Sequence, residues 1–237
     1  MNMDAFTGKA TVYAKARPGY APAALDFVCG VVGNPGAVFA DIGAGTGKFS
    51  VLLAERVDTV FAVEPNADMR AQIPPRDNMH VLDATAEATG LPDQSVDAVT
   101  CAQAFHWFDA SRFQAECQRI LKPGGRIFVI YNRPAPGAEL YHPELQWDGH
   151  RDDRRSQLEQ SIASLQDFFG PDMRKERFPN PVSYDADGWL AYMLSHSHSP
   201  RPGEETYERF VESVRAVFAR KGEDGVMRME METVVYL

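Results

Sequence analysis

Residues 37–50 read AVFADIGAGTGKFS. An apolar run, residues 37–40, precedes three glycines at alternate positions, and a second apolar run follows them. This order predicts a buried strand that ends in a glycine-rich turn and continues into a helix. Glycine adopts positive φ without steric cost and has no Cβ to hold a ligand away from the backbone. We therefore expect a cofactor of nucleotide type across the carboxyl end of this strand.

The spacing of the glycines separates two classes of cofactor. A dinucleotide site has the pattern G-x-G-x-x-G, in which the third glycine lets helix and strand pack closely. Counted from Gly43 and Gly45, that third position is Lys48, so the dinucleotide pattern is not met. The chain instead places an acid, Asp41, two residues before the series Gly43, Gly45 and Gly47.

Acidic residues follow the next two predicted strands. The first of these strands, residues 59–63, leads into Glu64, and the second, residues 80–82, leads into Asp83. A carboxylate at a strand tip can accept hydrogen bonds from both hydroxyls of a ribose, and each bond to a charged acceptor contributes roughly 1.5–3 kcal/mol. We assign this role to Glu64, and we expect Asp83 to accept a hydrogen bond from an adenine amino group.

The glycine turn is one of four segments that form a longer pattern. These segments are DIGAGTGKFS (41–50), VEP (63–65), DATAEATGLPDQSVDAVTCAQAFHWF (83–108) and RILKPGGRI (119–127). The pattern resembles the core of the class I S-adenosylmethionine-dependent methyltransferases, and most closely their type 11 subgroup. Three outer segments also resemble small-molecule methyltransferases such as the trans-aconitate and cantharidin-resistance relatives: YAKARPGYAP (13–22), MLSHSHSP (193–200) and ETVVYL (232–237).

The resemblance implies a cofactor, S-adenosyl-L-methionine, and the residues that bind it. It implies that Tyr13 and Arg17 close over the methionine end of the cofactor, with Arg17 pairing with the cofactor carboxylate. The cofactor-binding residues that we expect are Tyr13, Arg17, Asp41, Gly43, Gly45, Gly47, Glu64, Pro65, Asp83, Ala84, Gln103 and Ala104.

The resemblance also implies a Rossmann-like, doubly wound α/β fold with a seven-stranded sheet, mostly parallel, whose final strand is antiparallel. We expect a single domain with four parts: N-terminal helices over the cofactor (1–36), a cofactor-binding core (37–131), a variable helical lid over the substrate (132–222) and a closing strand (223–237). Within the lid, the residues that can face the acceptor are Arg133, Tyr141, His142, Trp147, Trp189, Tyr192 and Met193.

Apolar periodicity predicts the positions of the elements. Strands are expected near 37–42, 59–64, 79–83, 96–102, 125–131 and 226–237, the last with a bend or bulge. A further strand near 177–183 should lie at the sheet edge, because Pro179 and Pro181 cannot donate to a neighbouring strand. Helices are expected near 7–15, 22–32, 47–56, 66–73, 109–120, 154–169, 186–195 and 204–221. Gly124 and Gly125 should form a left-handed cap after the fifth of these helices.

The composition and charge of the chain limit the classes of partner that we expect. The length of 237 residues and an apolar fraction of 44% favour one α/β domain. A formal charge of −9 disfavours a nucleic-acid partner. No run approaches the roughly 18 apolar residues of a membrane span, and the N-terminus lacks an apolar signal. The three cysteines show no paired or zinc-type spacing, and His196 and His198 lack a third ligand nearby. We therefore expect a cytoplasmic protein without a metal site that acts on a small molecule.

The predicted reaction asks little of the protein, because the cofactor carries an activated methyl group on its sulfonium. Holding the acceptor, methyl carbon and sulfur in line can supply roughly 7–11 kcal/mol of the barrier. A general base adds roughly 10²–10⁴-fold for a protonated acceptor and nothing for a carboxylate. His106, after the fourth strand, is the candidate base, since the pKa of histidine lies near neutrality. Its alternative role is to anchor the loop by hydrogen bonds.

The function that we expect is methyl transfer from S-adenosylmethionine to a small molecule, by O-methylation of a carboxylate or hydroxyl group. Two other classes stay open at this point. One is a cofactor-binding module without catalysis that acts as a partner or regulatory subunit. The other is a nicotinamide-dependent reductase on a similar sheet, which the Lys48 mismatch disfavours.

Overall fold

A seven-stranded sheet organises the chain. The computed structural model describes residues 10–138, 163–196 and 199–237. The strand order is β3-β2-β1-β4-β5-β9-β6, in which the first five strands are parallel and β9 is antiparallel to both neighbours. This confirms the predicted Rossmann-like sheet with a reversed final strand. The strands are β1 (Val38–Ile42), β2 (Thr59–Val63), β3 (Met79–Leu82), β4 (Val96–Ala102), β5 (Leu121–Pro134), β6 (Lys175–Pro179) and β9 (Met231–Tyr236).

Helices cover both faces of this sheet. On one face, Phe113 and Cys117 pack with Val129 of the sheet, and on the other, Leu25 and Leu53 pack with strand residues. Parallel strands that are buried on both faces have mostly apolar sequences. For this reason the short apolar runs in the sequence predicted where the strands lie. The helices are α1 (Ala10–Ala16), α2 (Pro22–Val32), α3 (Lys48–Ala54), α4 (Ala67–Arg70), α5 (Ala110–Ile120), α6 (163–169), α7 (Ala186–Leu194) and α8 (Tyr207–Lys221).

The two N-terminal helices have different roles. Helix α1 contacts α7, and Ala16 at its end joins a smaller core with Trp189 and Phe210. Helix α2 instead buries Leu25 and Val28 in the main core against the sheet. Of the two helices expected to lie over the cofactor, α1 contributes Tyr13 to the cleft described below, and no residue of α2 lines that cleft.

The connection from α5 to β5 also differs from the prediction. The helix ends at Ile120, and Leu121 is already extended, with φ −72° and ψ 135°. Leu121 pairs with Val96 before the register shifts, and Gly124, at φ 81°, lies within this irregular stretch. The glycine therefore forms a bulge in the strand rather than a helix cap, because strand pairing with β4 begins first.

The C-terminal segment bends as expected. Strand β8 (Met227–Met229) pairs with β7 (Val182–Tyr184) in a separate two-stranded sheet, and β9 begins at Met231. The break between β8 and β9 falls at Glu230. Strand β6 lies at the edge of the main sheet and ends at Pro179, in agreement with the proline argument.

A close approach between two loops fixes the geometry above β1. Gly43 has φ +70°, and a Cβ placed there would lie 2.6 Å from the Cβ of Ala104. Glycine at this position lets the loop after β4 pack directly on the turn after β1.

We predict that Gly43→Ala destabilises the fold more than Gly90→Ala. Gly90 has a similar φ of +74° but open space around its Cβ position, so its variant reports the backbone cost alone, roughly 1–2 kcal/mol. The clash with Ala104 should add about 1–3 kcal/mol for Gly43→Ala. Urea unfolding of both variants measures the difference. Equal midpoints would contradict the close approach.

Candidate active site

A cleft opens at the carboxyl ends of the parallel strands. The turn after β1, the tip of β2 and the segment after β4 form its floor, and α1 and α7 contribute to its upper wall. Nine of the residues predicted from sequence line it: Tyr13, Arg17, Gly43, Gly45, Glu64, Pro65, Gln103, Ala104 and His106. Gln103 adopts a positive φ of 59°, a conformation rare outside glycine that concentrates at functional sites.

Glu64 is held rigidly at the cleft wall. Its Oε2 atom accepts a hydrogen bond from the Gly45 N–H at 2.8 Å, and its Oε1 atom accepts one from the Asn66 N–H at 2.8 Å. The residue is 8% exposed, and burial raises the pKa of this carboxyl while the two backbone bonds lower it. Each carboxylate oxygen has a second lone pair, so Glu64 can still accept hydrogen bonds from a ligand.

Asp41 lies beneath the turn and not at the cleft wall, contrary to its predicted role in binding the cofactor. Its Oδ2 atom accepts a hydrogen bond from Ser50 Oγ at 2.5 Å, and its Oδ1 atom accepts one from Thr100 Oγ1 at 2.8 Å. The pKa of Asp41 is raised to about 6, because the effect of burial, which raises it, outweighs the effect of the two hydroxyl bonds, which lower it. The carboxyl group thus connects β1 to α3 and β4 and supports the turn from below.

Three other predicted residues also lie outside the cleft wall: Gly47, Asp83 and Ala84. A Cβ at Gly47 would lie 2.9 Å from Ile73 Cγ2, so this glycine serves packing. Asp83 forms an ion pair with Arg70 at 2.8 Å, and its side chain is 69% exposed. Arg70 also donates to the backbone oxygen of Glu64 at 2.8 Å. It therefore joins the tips of β2 and β3, a role that the sequence analysis missed.

Two buried donors in the cleft have no hydrogen-bond partner among the described residues. They are the Nε atom of Arg17 and the Oγ1 atom of Thr46. Both residues line the cleft, as does Lys48, whose pKa is lowered by burial. Buried polar groups are rarely left unsatisfied, so these donors suit an anionic group of a ligand. Thr46 and Lys48 were visible within the glycine motif but were not predicted as binding residues.

His106 also lines the cleft and lies in a short 3₁₀ helix, Phe105–Trp107. Its Nδ1 atom lies 3.4 Å from the hydroxyl oxygen of Tyr131 on β5. Burial, together with the positive charge of Arg133, lowers the pKa of His106 to about 4. The imidazole is therefore neutral at pH 7 and able to accept a proton, but it is a weaker base than a histidine with a pKa near neutrality.

The structure also addresses other sequence predictions. No group of three or more metal-binding side chains occurs among residues 10–138, 163–196 and 199–237. Within the same ranges, no helix is long and apolar enough to cross a membrane. The predicted residues Tyr141, His142, Trp147 and His198, and the first part of the predicted helix 154–169, lie outside the described residues. Tyr192 lines the cleft, whereas Trp189 and Met193 are buried in the smaller core.

The strand order, the glycine turn after β1 and the carboxylate after β2 together define the class I S-adenosylmethionine-dependent methyltransferase fold. Comparisons with known proteins agree. Residues 40–129 match the model of a methyltransferase domain. A solved structure from Anaeromyxobacter dehalogenans, described as a type II methyltransferase, superimposes with a TM-score of 0.64 at 27% identity, over 93% of this chain and 95% of that one.

Curated relatives show the same domain. An uncharacterized methyltransferase of Mycobacterium tuberculosis is 41% identical over 124 residues, covering 51% of this chain and 49% of the relative. A malonyl-[acyl-carrier protein] O-methyltransferase of Methylococcus capsulatus is 39% identical over 126 residues, covering 50% and 46%. The chain spans about half the length of the curated relatives it matches. Residues 40–129, which include most of the four sequence segments, thus match a methyltransferase domain of type 11, and the whole chain shares the fold of the solved methyltransferase structure.

We predict that Asp41→Asn changes the pH dependence of stability. Because the folded-state pKa of Asp41 is raised above 3.8 to about 6, its contribution is present below pH 3.8 and is lost as the pH rises through 6. The Asn variant lacks this loss. The free energy of unfolding of the variant, relative to that of the wild type, should therefore increase between pH 4.5 and pH 7.5 by on the order of 1–3 kcal/mol. Urea titrations measure this gain, and Asp77→Asn, at an exposed position, is the control. Parallel curves for wild type and Asp41→Asn would contradict the raised pKa.

Proposed function

We propose that this chain binds S-adenosyl-L-methionine in the cleft and transfers its methyl group to an oxygen atom of a small-molecule acceptor, either a carboxylate or a hydroxyl. The observation that carries the proposal is the Glu64 carboxylate, fixed by the N–H groups of Gly45 and Asn66 at the edge of a glycine turn. This arrangement presents a rigid charged acceptor to the two hydroxyls of a ribose.

The remaining polar groups of the cleft fit the rest of the cofactor. Arg17 and Thr46 have buried donor atoms without a partner among the described residues, and a cofactor carboxylate would satisfy both. Lys48 adds a positive charge to the cleft wall. Asp83 pairs with Arg70 and lies outside the cleft wall, so we do not assign it to the adenine amino group.

The chemistry of the transfer needs few protein groups. The bound cofactor would supply a methyl group on a sulfonium, so that the acceptor oxygen forms a bond to carbon as the S–C bond breaks and its electron pair stays on sulfur. A carboxylate acceptor becomes a neutral ester without proton transfer. A hydroxyl acceptor must lose one proton, and His106 is a neutral base at the cleft wall. The role of the protein is then to align the acceptor oxygen.

Oxygen is favoured as the acceptor atom by one of the relatives. The Methylococcus capsulatus protein is named as an O-methyltransferase, and it is 39% identical to this chain over 126 residues. The formal charge of −9 also disfavours a nucleic acid as the acceptor.

One experiment tests this function against its two alternatives. Binding of labelled S-adenosylmethionine and of NADH is measured by equilibrium dialysis, and turnover is measured as S-adenosylhomocysteine released with a panel of small acids and phenols. The proposal expects binding of the first ligand and acceptor-dependent turnover. Binding without turnover across the panel would favour a cofactor-binding module, and binding of NADH alone would favour a reductase.

We predict that Glu64→Gln weakens binding of S-adenosylhomocysteine by roughly 10–100-fold, because a neutral amide replaces the charged acceptor of the ribose hydroxyls. Isothermal titration calorimetry measures the affinity. Glu55→Gln, at the exposed residue that directly follows α3, should bind as the wild type does. A lower melting temperature of Glu64→Gln with unchanged affinity would show that the residue is only structural.

We predict that His106→Asn lowers kcat for a hydroxyl acceptor by roughly 10²–10⁴-fold and leaves kcat for a carboxylate acceptor nearly unchanged. Since the pKa of His106 is about 4, kcat/KM of the wild type for a hydroxyl acceptor should rise as the pH increases through 4 and then level. His80→Asn, on the exposed side of β3, is the control. Equal losses with both acceptors would indicate a positioning role instead.

A further inference from the structure

Two donor atoms of the half-buried Arg133 have no hydrogen-bond acceptor among the described residues. The residue lies near the carboxyl end of β5, with its guanidinium carbon 4.6 Å from the centroid of the Tyr131 ring and 5.5 Å from that of Tyr236. Its Nε and Nη2 atoms are buried, and no described residue accepts a hydrogen bond from either. These two atoms form one edge of the guanidinium, the edge that binds a carboxylate through two parallel bonds.

The charges around Arg133 do not balance. In the antiparallel pairing, Arg133 lies opposite Glu232 on β9, which is the acid nearest in register. The Glu232 carboxylate nevertheless accepts from Arg177 on the neighbouring strand β6. Two guanidinium groups therefore share one carboxylate on this face of the sheet. Burial lowers the pKa of Arg133, although arginine stays charged in proteins. An unpaired buried charge of this kind is costly, so a ligand that completes it offers a physical reason for its presence.

This cluster adjoins the acceptor side of the cleft. The hydroxyl of Tyr131, whose ring lies against Arg133, is 3.4 Å from the Nδ1 atom of His106. His106 lines the cleft, whereas Arg133 is not itself a lining residue and lies next to it behind the Tyr131 ring. The positive charge of Arg133 also acts on His106. Arg17 and Lys48 already supply cations to the cleft wall, so Arg133 is left for a second ligand.

We propose that Arg133 binds a carboxylate group of the methyl acceptor through its Nε–H and Nη2–H, so that the substrates of this protein are small carboxylic acids. The proposal rests on the proposed function and narrows its acceptor. A carboxylate is preferred to a phosphate because it is planar, matches the two-atom edge and carries the single negative charge that the cluster lacks.

The test compares carboxylates with their uncharged amides. Benzoate, phenylacetate and succinate are titrated beside benzamide, phenylacetamide and succinamide, with and without saturating S-adenosylhomocysteine, and binding is followed by thermal shift and calorimetry. We expect at least one acid to bind the wild type at least tenfold more tightly than its amide. Arg133→Gln should remove this preference. Arg133→Lys should retain only part of it, because lysine keeps the positive charge but lacks the two parallel N–H donors of a guanidinium group.

Two controls separate binding from structure. Arg126→Gln removes an exposed arginine from the same strand and should keep the preference for acids. Arg133→Met keeps the apolar stem of the side chain and should melt at the temperature of the apo wild type or above, because it removes an unpaired buried charge. All of these variants should bind S-adenosylhomocysteine as the wild type does.

The outcomes that overturn the proposal are distinct from failure of the proposed function. Equal binding of acids and amides by the wild type, or an unchanged preference in Arg133→Gln, would show that Arg133 does not bind a carboxylate. A lower melting temperature of Arg133→Met would assign the arginine to the fold. If acids are preferred through Arg133 but S-adenosylhomocysteine does not bind, the proposed cofactor is wrong and the carboxylate site remains.

Discussion

The buried Asp41 carboxyl group is the interaction on which the cleft depends. It accepts hydrogen bonds from Ser50 on α3 and Thr100 on β4, and so it fixes three elements around the glycine turn. The turn then presents the Gly45 N–H to Glu64, and its glycine at 43 allows the loop after β4 to pack on it. A displacement of Asp41 would therefore move the turn above it and so alter the binding surface, although Asp41 itself does not line the cleft.

The hydrogen bonding of buried polar atoms distinguishes the scaffold of the protein from its binding site. Within the described residues, the buried side-chain atoms without a hydrogen-bond partner belong to Arg17, Thr46 and Arg133. All three carry donors: Arg17 and Thr46 line the cleft, and Arg133 lies behind Tyr131, whose hydroxyl is next to the cleft residue His106. A fold that satisfies its other buried groups but leaves these donors unpaired is organised for ligands that bring acceptors. Because Arg133 does not line the cleft with Arg17 and Thr46, we infer that it has an acceptor of its own.

The sequence predicted those features that depend on local patterns. Apolar runs located the parallel strands, and strand-end acids located Glu64, because these signals need only a few neighbouring residues. The functions of Asp41, Asp83 and Arg133 depended on partners 9 to 99 positions away, whose contacts exist only after strand pairing sets the register. The same reason explains why the sequence did not predict the position of α2 on the sheet. Its apolar face was visible in sequence, but which surface it covers was not.

The family match and the proposed acceptor site occupy different parts of the chain. Residues 40–129 carry the shared domain and provide the glycine turn, Glu64 and His106. Tyr131 and Arg133 follow immediately on the same strand, and Glu232 and Arg177 join them through the reversed strand β9 and the edge strand β6. In this arrangement the shared domain determines which cofactor fits, while the three outer strands set the charge that meets the acceptor. On the proposal for Arg133, side chains at the end of β5 and on its antiparallel neighbours can change the charge that meets the acceptor while the cofactor site is left intact.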